Sequence, residues 1–519
     1  MKLTCTALAL LLAGSSWAKP PPKPEPPPAP AAPTGPTALT PEQRAAAFSV
    51  VDAAQDPSVK ADALLAILDD PSKASARAEA WARLGVILDQ AGLDAAALHA
   101  WAEAVKADPS SMTPLIGTAL DLAEKIGDEG EIGAALANAT TGMAVDGPTR
   151  SRIAEVGGRW HLQHDNLGPA GSMLALGDPA APNWPEVRAL QAIVAARQGR
   201  PNDAVTGLQE AIQIGQQAGR DERWLRTQQL NLGRAFYAAE NYGMAIYFFA
   251  EIPRDSDWWA EAQFERAWAH FRSEDMNGAL GLLMTLESPY FDGWYWPEAD
   301  LLRAYSFFMM CKFPEARIRV DGFGEKYKPL LADLSAAAPA MDDTAYFADL
   351  AAVREGKPTK LPAAIVRTYT HDDRFADALR FVAEADQETS SAALPSSRAA
   401  TEAKRWIEAR KQARIGEEAG RLRAKVDVAR GELGEMLQGI QITGVDITTL
   451  EADLYERASV TGVLDVPDNT ERLRKLRRDK EGYQVWPFEG EYWADELGWY
   501  QVDARPDCPE KIAVGDQKR

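Results

Sequence analysis

The one metal-like spacing in this 519-residue chain is His161-Leu-Gln-His164 followed by Asp165. Residues three apart share a helix face, so two imidazoles and a carboxylate converge there. Zinc asks for a third and fourth ligand, and Asp165 alone does not complete the set. No glycine-rich phosphate loop, serine-nucleophile elbow or zinc-protease helix occurs among the five histidines and the abundant carboxylates. Acidic residues stand on every helical stretch, so no pair is singled out as a general acid and base. The expectation is a protein without catalytic residues, metal or cofactor, and the chemistry left to it is recognition. Three segments carry it. Ser288-Pro-Tyr-Phe-Asp-Gly-Trp-Tyr-Trp296 brings Tyr290, Phe291, Trp294, Tyr295 and Trp296 onto one loop, where rings either stack on sugars or plug a seam. A run of Arg472, Arg474, Lys475, Arg477, Arg478 and Lys480 either meets an anionic surface or pairs with acidic helices of the same chain. A C-terminal stretch holds Trp486, Phe488, Tyr492, Trp493 and Trp499, too much apolar area to stay solvated, and reads first as a latch onto the helices.

The elements that position these groups repeat. Trp81, Leu84, Gly85, Ala97, Trp101, Ala104 and Pro109 fall at the spacing of one helix-turn-helix unit, with small residues where two helices cross closely and proline where the second must end. The small residue that opens the second helix recurs at Ala134, Ala170, Ala204, Ala245, Ala279 and Ala316, in steps of 37, 36, 34, 41, 34 and 37. Gly233-Arg-Ala-Phe-Tyr-Ala-Ala-Glu-Asn-Tyr-Gly-Met-Ala245 aligns without gaps on Ala267-Trp-Ala-His-Phe-Arg-Ser-Glu-Asp-Met-Asn-Gly-Ala279. On these residues the chain resembles the tetratricopeptide repeat superfamily from about Ala76 to Leu334, although Gln229, Gln263 and Asp300 stand where that family usually has Trp. The resemblance implies an all-α solenoid of stacked helix pairs. His270, aligned with Phe236 and Phe307, then reads as a packed core histidine.

The resemblance also implies a concave groove lined by the first helix of each repeat, through its ninth and twelfth positions. Repeats starting at Arg226, Ala260 and Pro297 put Arg234, Trp268 and Tyr305 in one column and Tyr237, Phe271 and Phe308 in the next. Five of these six are aromatic, so the strip seats either an extended or helical segment of a partner or the protein's own C-terminal helices. Arg234 and its acidic neighbours Glu261 and Glu265 set the polarity of the groove.

Met1-Lys2, an apolar run from Leu3 to Gly14, and Ser16-Trp17-Ala18 read as a secretory signal peptide at 1–18. Cys5 lies too near the start to be a lipoprotein cysteine, and no later segment approaches the roughly 20 apolar residues of a membrane span. The linker 19–40 is dense in proline, a polyproline II spacer of about 3.1 Å per residue that reaches on the order of 70 Å. Export leaves Cys311 and Cys508 in a compartment that permits a bridge between them, against which stands the reading of two unrelated cysteines. With 76 acidic against 56 basic residues, a nucleic-acid partner is excluded.

The domain organisation that follows is an N-terminal helical cap at 41–75, a solenoid at 76–335, an irregular or helical junction at 336–394, a long helical hairpin at 395–482 and an aromatic-rich tail at 483–519. The hairpin is expected to turn between Gly439 and Gly444, with Ile407, Ile415, Leu422, Val426, Leu433 and Leu437 as the apolar stripe of its first helix. The functional expectation is a periplasmic scaffold or adaptor that binds envelope proteins through the groove. The alternative is a peptidoglycan- or glycan-binding module using Tyr290, Trp294 and Trp296 or the tail aromatics.

Overall fold

A computed structural model describes residues 40–139, 143–369, 373–461 and 488–506. Residues 1–39, which hold the expected signal and all of the linker but Thr40, the basic run at 472–480, Trp486 and Cys508 lie outside the described residues. Among the described residues every long element is an α-helix.

The chain enters the fold at a capping box. Thr40 Oγ1 accepts the Gln43 N–H at 3.3 Å and Gln43 Oε1 accepts the Thr40 N–H at 3.0 Å, with Pro41 in the first turn. Helices α1 (Pro41–Ala53) and α2 (Pro57–Asp69) form a pair that covers the apolar face of the next. Seven further pairs follow: α3 (Arg77–Gln90) with α4 (Asp94–Ala107), α5 (Ile116–Ile126) with α6 (Glu129–Ala137), α7 (Gly147–Gln163) with α8 (Leu167–Leu174), and α9 (Trp184–Arg197) with α10 (Pro201–Gln217). Then come α11 (Glu222–Ala238) with α12 (Tyr242–Ala250), α13 (Trp259–Arg272) with α14 (Met276–Leu286), and α15 (Pro297–Met309) with α16 (Phe313–Ala337). This is a helical-repeat solenoid.

The close crossing inside each pair explains the periodic small residue. Gly85 faces Trp101 so closely that a Cβ there would lie 2.3 Å from the indole nitrogen, which donates to Ala82 O. From α4 on, the fourth residue of six second helices is a fully buried alanine: Ala97, Ala170, Ala204, Ala245, Ala279 and Ala316. In α6 that position belongs to Ile132, not Ala134, which is only half-buried; the adjacent Gly133 faces Trp160 and Val156 of α7 in the next pair. Polar seams join successive pairs about one repeat apart, as in Arg152–Asp121, Arg159–Glu129 and Arg197–Asp165.

After α16 come α17 (Asp343–Arg354), the short α18 (Ala363–Arg367), α19 (Asp373–Ser390) and α20 (Arg398–Thr461). The expected turn between Gly439 and Gly444 does not exist; α20 is one helix of 64 residues, about 95 Å long. Glycine inside a helix costs only about 1 kcal/mol. Here the buried stripe runs straight through it as Leu433, Leu437, Ile440 and Ile447, packed on α15 and α16, and Gly444 lets Val320 of α16 approach. The helical hairpin of this region is instead α19 against α20, joined at 391–397. At its other end α20 is capped by Asp62 of α2, which accepts the N–H groups of Arg398 and Ala399. The helix therefore spans the solenoid from cap to last pair.

The tail at 488–506 lies on α12–α14. Arg254 donates to the carbonyls of Ala494, Asp495 and Leu497; Gly498 N–H donates to Thr285; Asn277 exchanges two hydrogen bonds with the Ala504 backbone. Leu497 is buried beneath it. The segment is latched, but through its backbone and Leu497; Phe488, Trp493 and Trp499, expected to be buried by their apolar area, stay exposed.

Cys311, in the left-handed turn between α15 and α16, is disulfide-bonded. With Cys5 expected to leave with the signal, we expect the exported chain to pair it with Cys508. A non-reducing tryptic digest should link the Ala304–Lys312 peptide to the one holding Cys508; a free Cys508 thiol would refute the pairing.

Candidate functional site

The two aromatic columns meet different fates. Tyr237, Phe271 and Phe308 sit one turn before the bend of their own pairs, and each packs across it onto the residue five further on. Tyr237 meets Tyr242 at 5.5 Å, Phe308 meets Phe313 at 6.1 Å, and Phe271 shares a cluster with Met276. This column closes the bends and does not line an open groove, because the side chain of the twelfth position points toward the partner helix. Arg272 lies over the Tyr242 ring and covers the first of these bends.

Arg234, Trp268 and Tyr305 lie on the successive first helices α11, α13 and α15. Arg234 is spent on α13, with Nε 2.8 Å and Nη2 2.6 Å from Glu265 Oε1 and Nη2 2.5 Å from Glu261. Trp268 is half-buried and meets Phe271 edge-on at 5.9 Å. Tyr305 is buried under α20, whose Thr443 partners its hydroxyl, and burial pushes the phenol up. The C-terminal end of the groove is thus filled by the chain's own helix, while α20 makes no extensive contact with α7–α14.

The N-terminal end is filled too. Trp406 of α20 enters between Trp81 and His99, with ring centroids at 5.4 and 5.2 Å. Below it Arg410 grips Asp128 with Nε at 2.6 Å and Nη2 at 2.5 Å, and His99 Nδ1 lies 2.7 Å from Glu131. Burial pushes the Glu131 carboxyl up, but the His99 contact and the nearby Arg410 charge outweigh it and hold it low. On α19, Glu388 is buried and accepts the Ala95 N–H at 2.8 Å, serving the first turn of α4, where Leu93 offers no side-chain cap. Sequence reasoning missed α19 as an occupant, since its stripe of Phe375, Ala378, Phe381 and Ala385 has the same period as any repeat helix.

The other candidate residues serve packing. Trp294 and Trp296 stack on each other at 5.8 Å, Trp296 also meets Phe264, and of the Tyr290, Trp294 and Trp296 set only Tyr290 is well exposed. His161 is buried against Ala137 O, His164 stacks on Trp160 at 4.0 Å, and Asp165 pairs with Arg197. His270 is half-buried, held by Asp275 at 2.8 Å, and burial lowers its pKa. Among the described residues no three metal-ligating side chains converge, and no helix is long and apolar enough to cross a membrane.

No family model and no curated protein matches the chain. Among solved structures, the apo form of RapI aligns over 70% of this chain and 99% of its own at 13% identity, with a TM-score of 0.31, a likeness too loose to carry an argument.

Two carboxyls at the docked segment titrate near neutrality. Glu388 is pushed up to about 7 by burial, with Asp94 and Glu384 adding to it; Glu298 on α15 is pushed up to about 7 by burial and by Glu432 of α20. Their folded pKa lies above the unfolded value of about 4.3. The stabilisation is therefore complete below about pH 4.3 and is lost as pH rises to about 7. Glu388→Gln should raise the melting temperature at pH 8, by the equivalent of up to about 3–4 kcal/mol, and flatten the stability profile between about pH 4.5 and 7. An unchanged slope in thermal melts across that window would remove Glu388 from the account.

Proposed function

We propose that this chain is an exported scaffold of the tetratricopeptide type, which holds protein partners in a bacterial envelope complex and performs no catalysis. The observation that carries this reading is the placement of Arg234, Trp268 and Tyr305 on successive first helices, with α20 already seated over Tyr305. A surface that packs α20 over Tyr305 has the spacing and apolar character to receive a helical segment in the stretch α20 leaves uncovered. Export is supported by the Leu3–Gly14 apolar run and Ser16-Trp17-Ala18, and reach by the proline-dense linker. The periplasm is the compartment in which Cys311 can keep its disulfide. Glycan or peptidoglycan binding through the 288–296 loop has less behind it, since Trp294 and Trp296 are half-buried and mutually stacked.

The test replaces Trp268 with a photo-crosslinking residue, illuminates intact cells and identifies the attached peptides by mass spectrometry. A crosslink to another envelope protein is the expected result. Crosslinks confined to residues 398–461 of the same chain would overturn the reading.

A further inference from the structure

The outer face of the tail carries a surface that neither the groove nor the latch uses. Trp493 and Trp499 are 60% and 68% exposed, and Phe488 is 44% exposed. They do not hang from a loose end. The Glu496 N–H donates to Trp493 O at 3.1 Å and the Trp499 N–H to Glu496 O at 2.9 Å, so residues 493, 496 and 499 follow one another through two consecutive turns. Arg254 clamps the carbonyls between them, Gly498 abuts Trp259, and the Tyr500 carbonyl lies so close to Gly281 that a Cβ there would sit 2.2 Å from it. Phe488, Tyr492 and Tyr500 pack edge-to-face at 5.0–6.0 Å and brace the same loop. The structure holds two indoles in water at fixed places, although burying either would be favourable.

Carboxylates flank the indoles along this loop: Asp495 and Glu496 lie between Trp493 and Trp499, and Glu489 and Glu491 precede them. Glu489, Glu491 and Asp495 are exposed, Glu491 accepts the Glu489 N–H, and none of the four is in an ion pair among the described residues. Exposed indole faces beside unpaired carboxylates attract a cation twice, through the ring quadrupole and through charge, and they repel anionic polymers. A chain with a formal charge of −20 adds long-range attraction of the same sign.

We propose that this face docks a basic segment of a partner protein, with Lys or Arg side chains over Trp493 and Trp499 and against Glu489, Glu491 and Asp495. The site is separate from the groove, so the two readings stand or fall independently.

The test uses the full exported chain and fluorescein-labelled nona-arginine, read by anisotropy at about 150 mM salt, where non-specific long-range attraction is screened. Saturable binding is expected, weakened about fivefold or more in W493A/W499A, a variant of unchanged charge at exposed positions. Equal binding by the two proteins, or no saturable binding, would overturn the proposal. Binding that emerges only after Arg472, Arg474, Lys475, Arg477, Arg478 and Lys480 are changed to Ser would assign the face to the chain's own basic run and overturn an external partner. Trp-dependent binding of chitohexaose in place of nona-arginine would make it a glycan site and overturn the proposal likewise.

Discussion

Everything in this fold depends on one long helix being held at both ends of a solenoid. Asp62 fixes the first turn of α20 on the N-terminal pair, and the stripe from Leu433 to Ile447 fixes its far part on α15 and α16. Between them Leu422, Val426 and Ala429 bury against Tyr346, Leu350, Phe375 and Ala378 of α17–α19. A solenoid alone is quasi-one-dimensional, each pair touching its neighbours, so its ends are coupled only through every seam between. The strut adds contacts between residues more than 300 positions apart, such as Arg398 with Asp69. It turns a stack into a closed body.

The polar seam under α20 does a different job from the apolar stripe. A buried ion pair such as Arg410 with Asp128 gains little net stability over an apolar pair, because both charges must be desolvated. Its force is in the penalty for misplacement. Shift α20 by one residue and Arg410 leaves Asp128, Lys411 leaves Asp386 of α19, and Trp406 leaves its slot beside His99. A one-residue slip also turns the helix by about 100°, so the stripe of Leu433, Leu437, Ile440 and Ile447 leaves the core with them. Apolar and charged contacts together fix the register of the strut.

The sequence made the solenoid legible because the crossing of two helices admits only small residues, and that constraint leaves a mark at fixed steps. It misled in α6, where the buried fourth position is Ile132 and Ala134 was a false landmark, while the small residue beside it, Gly133, faces α7 of the next pair. The hairpin failed for a related reason. Gly439 and Gly444 carry a breaker's signature, yet a glycine at a close approach to Val320 is a packing residue, and only the partner helix decides between the two meanings. The groove was half legible. Spacing put Arg234, Trp268 and Tyr305 on successive first helices, as they are, but the twelfth positions turn inward to Tyr242, Met276 and Phe313, a rotation that periodicity cannot report.

Whether a partner displaces α20 or works beside it follows from magnitudes. Releasing Leu433, Leu437, Ile440 and Ile447 from α15 and α16 would expose four buried side chains, each holding roughly 1.5–3 kcal/mol. The sum, roughly 6–12 kcal/mol, corresponds to about four to nine powers of ten in affinity that an incoming helix would have to recover before showing any net binding. Few interfaces of ordinary size have that to spare. The partner proposed for the groove would therefore bind where α20 makes no extensive contact, along α7–α14, next to Trp268, which packs on the same cluster as the strut.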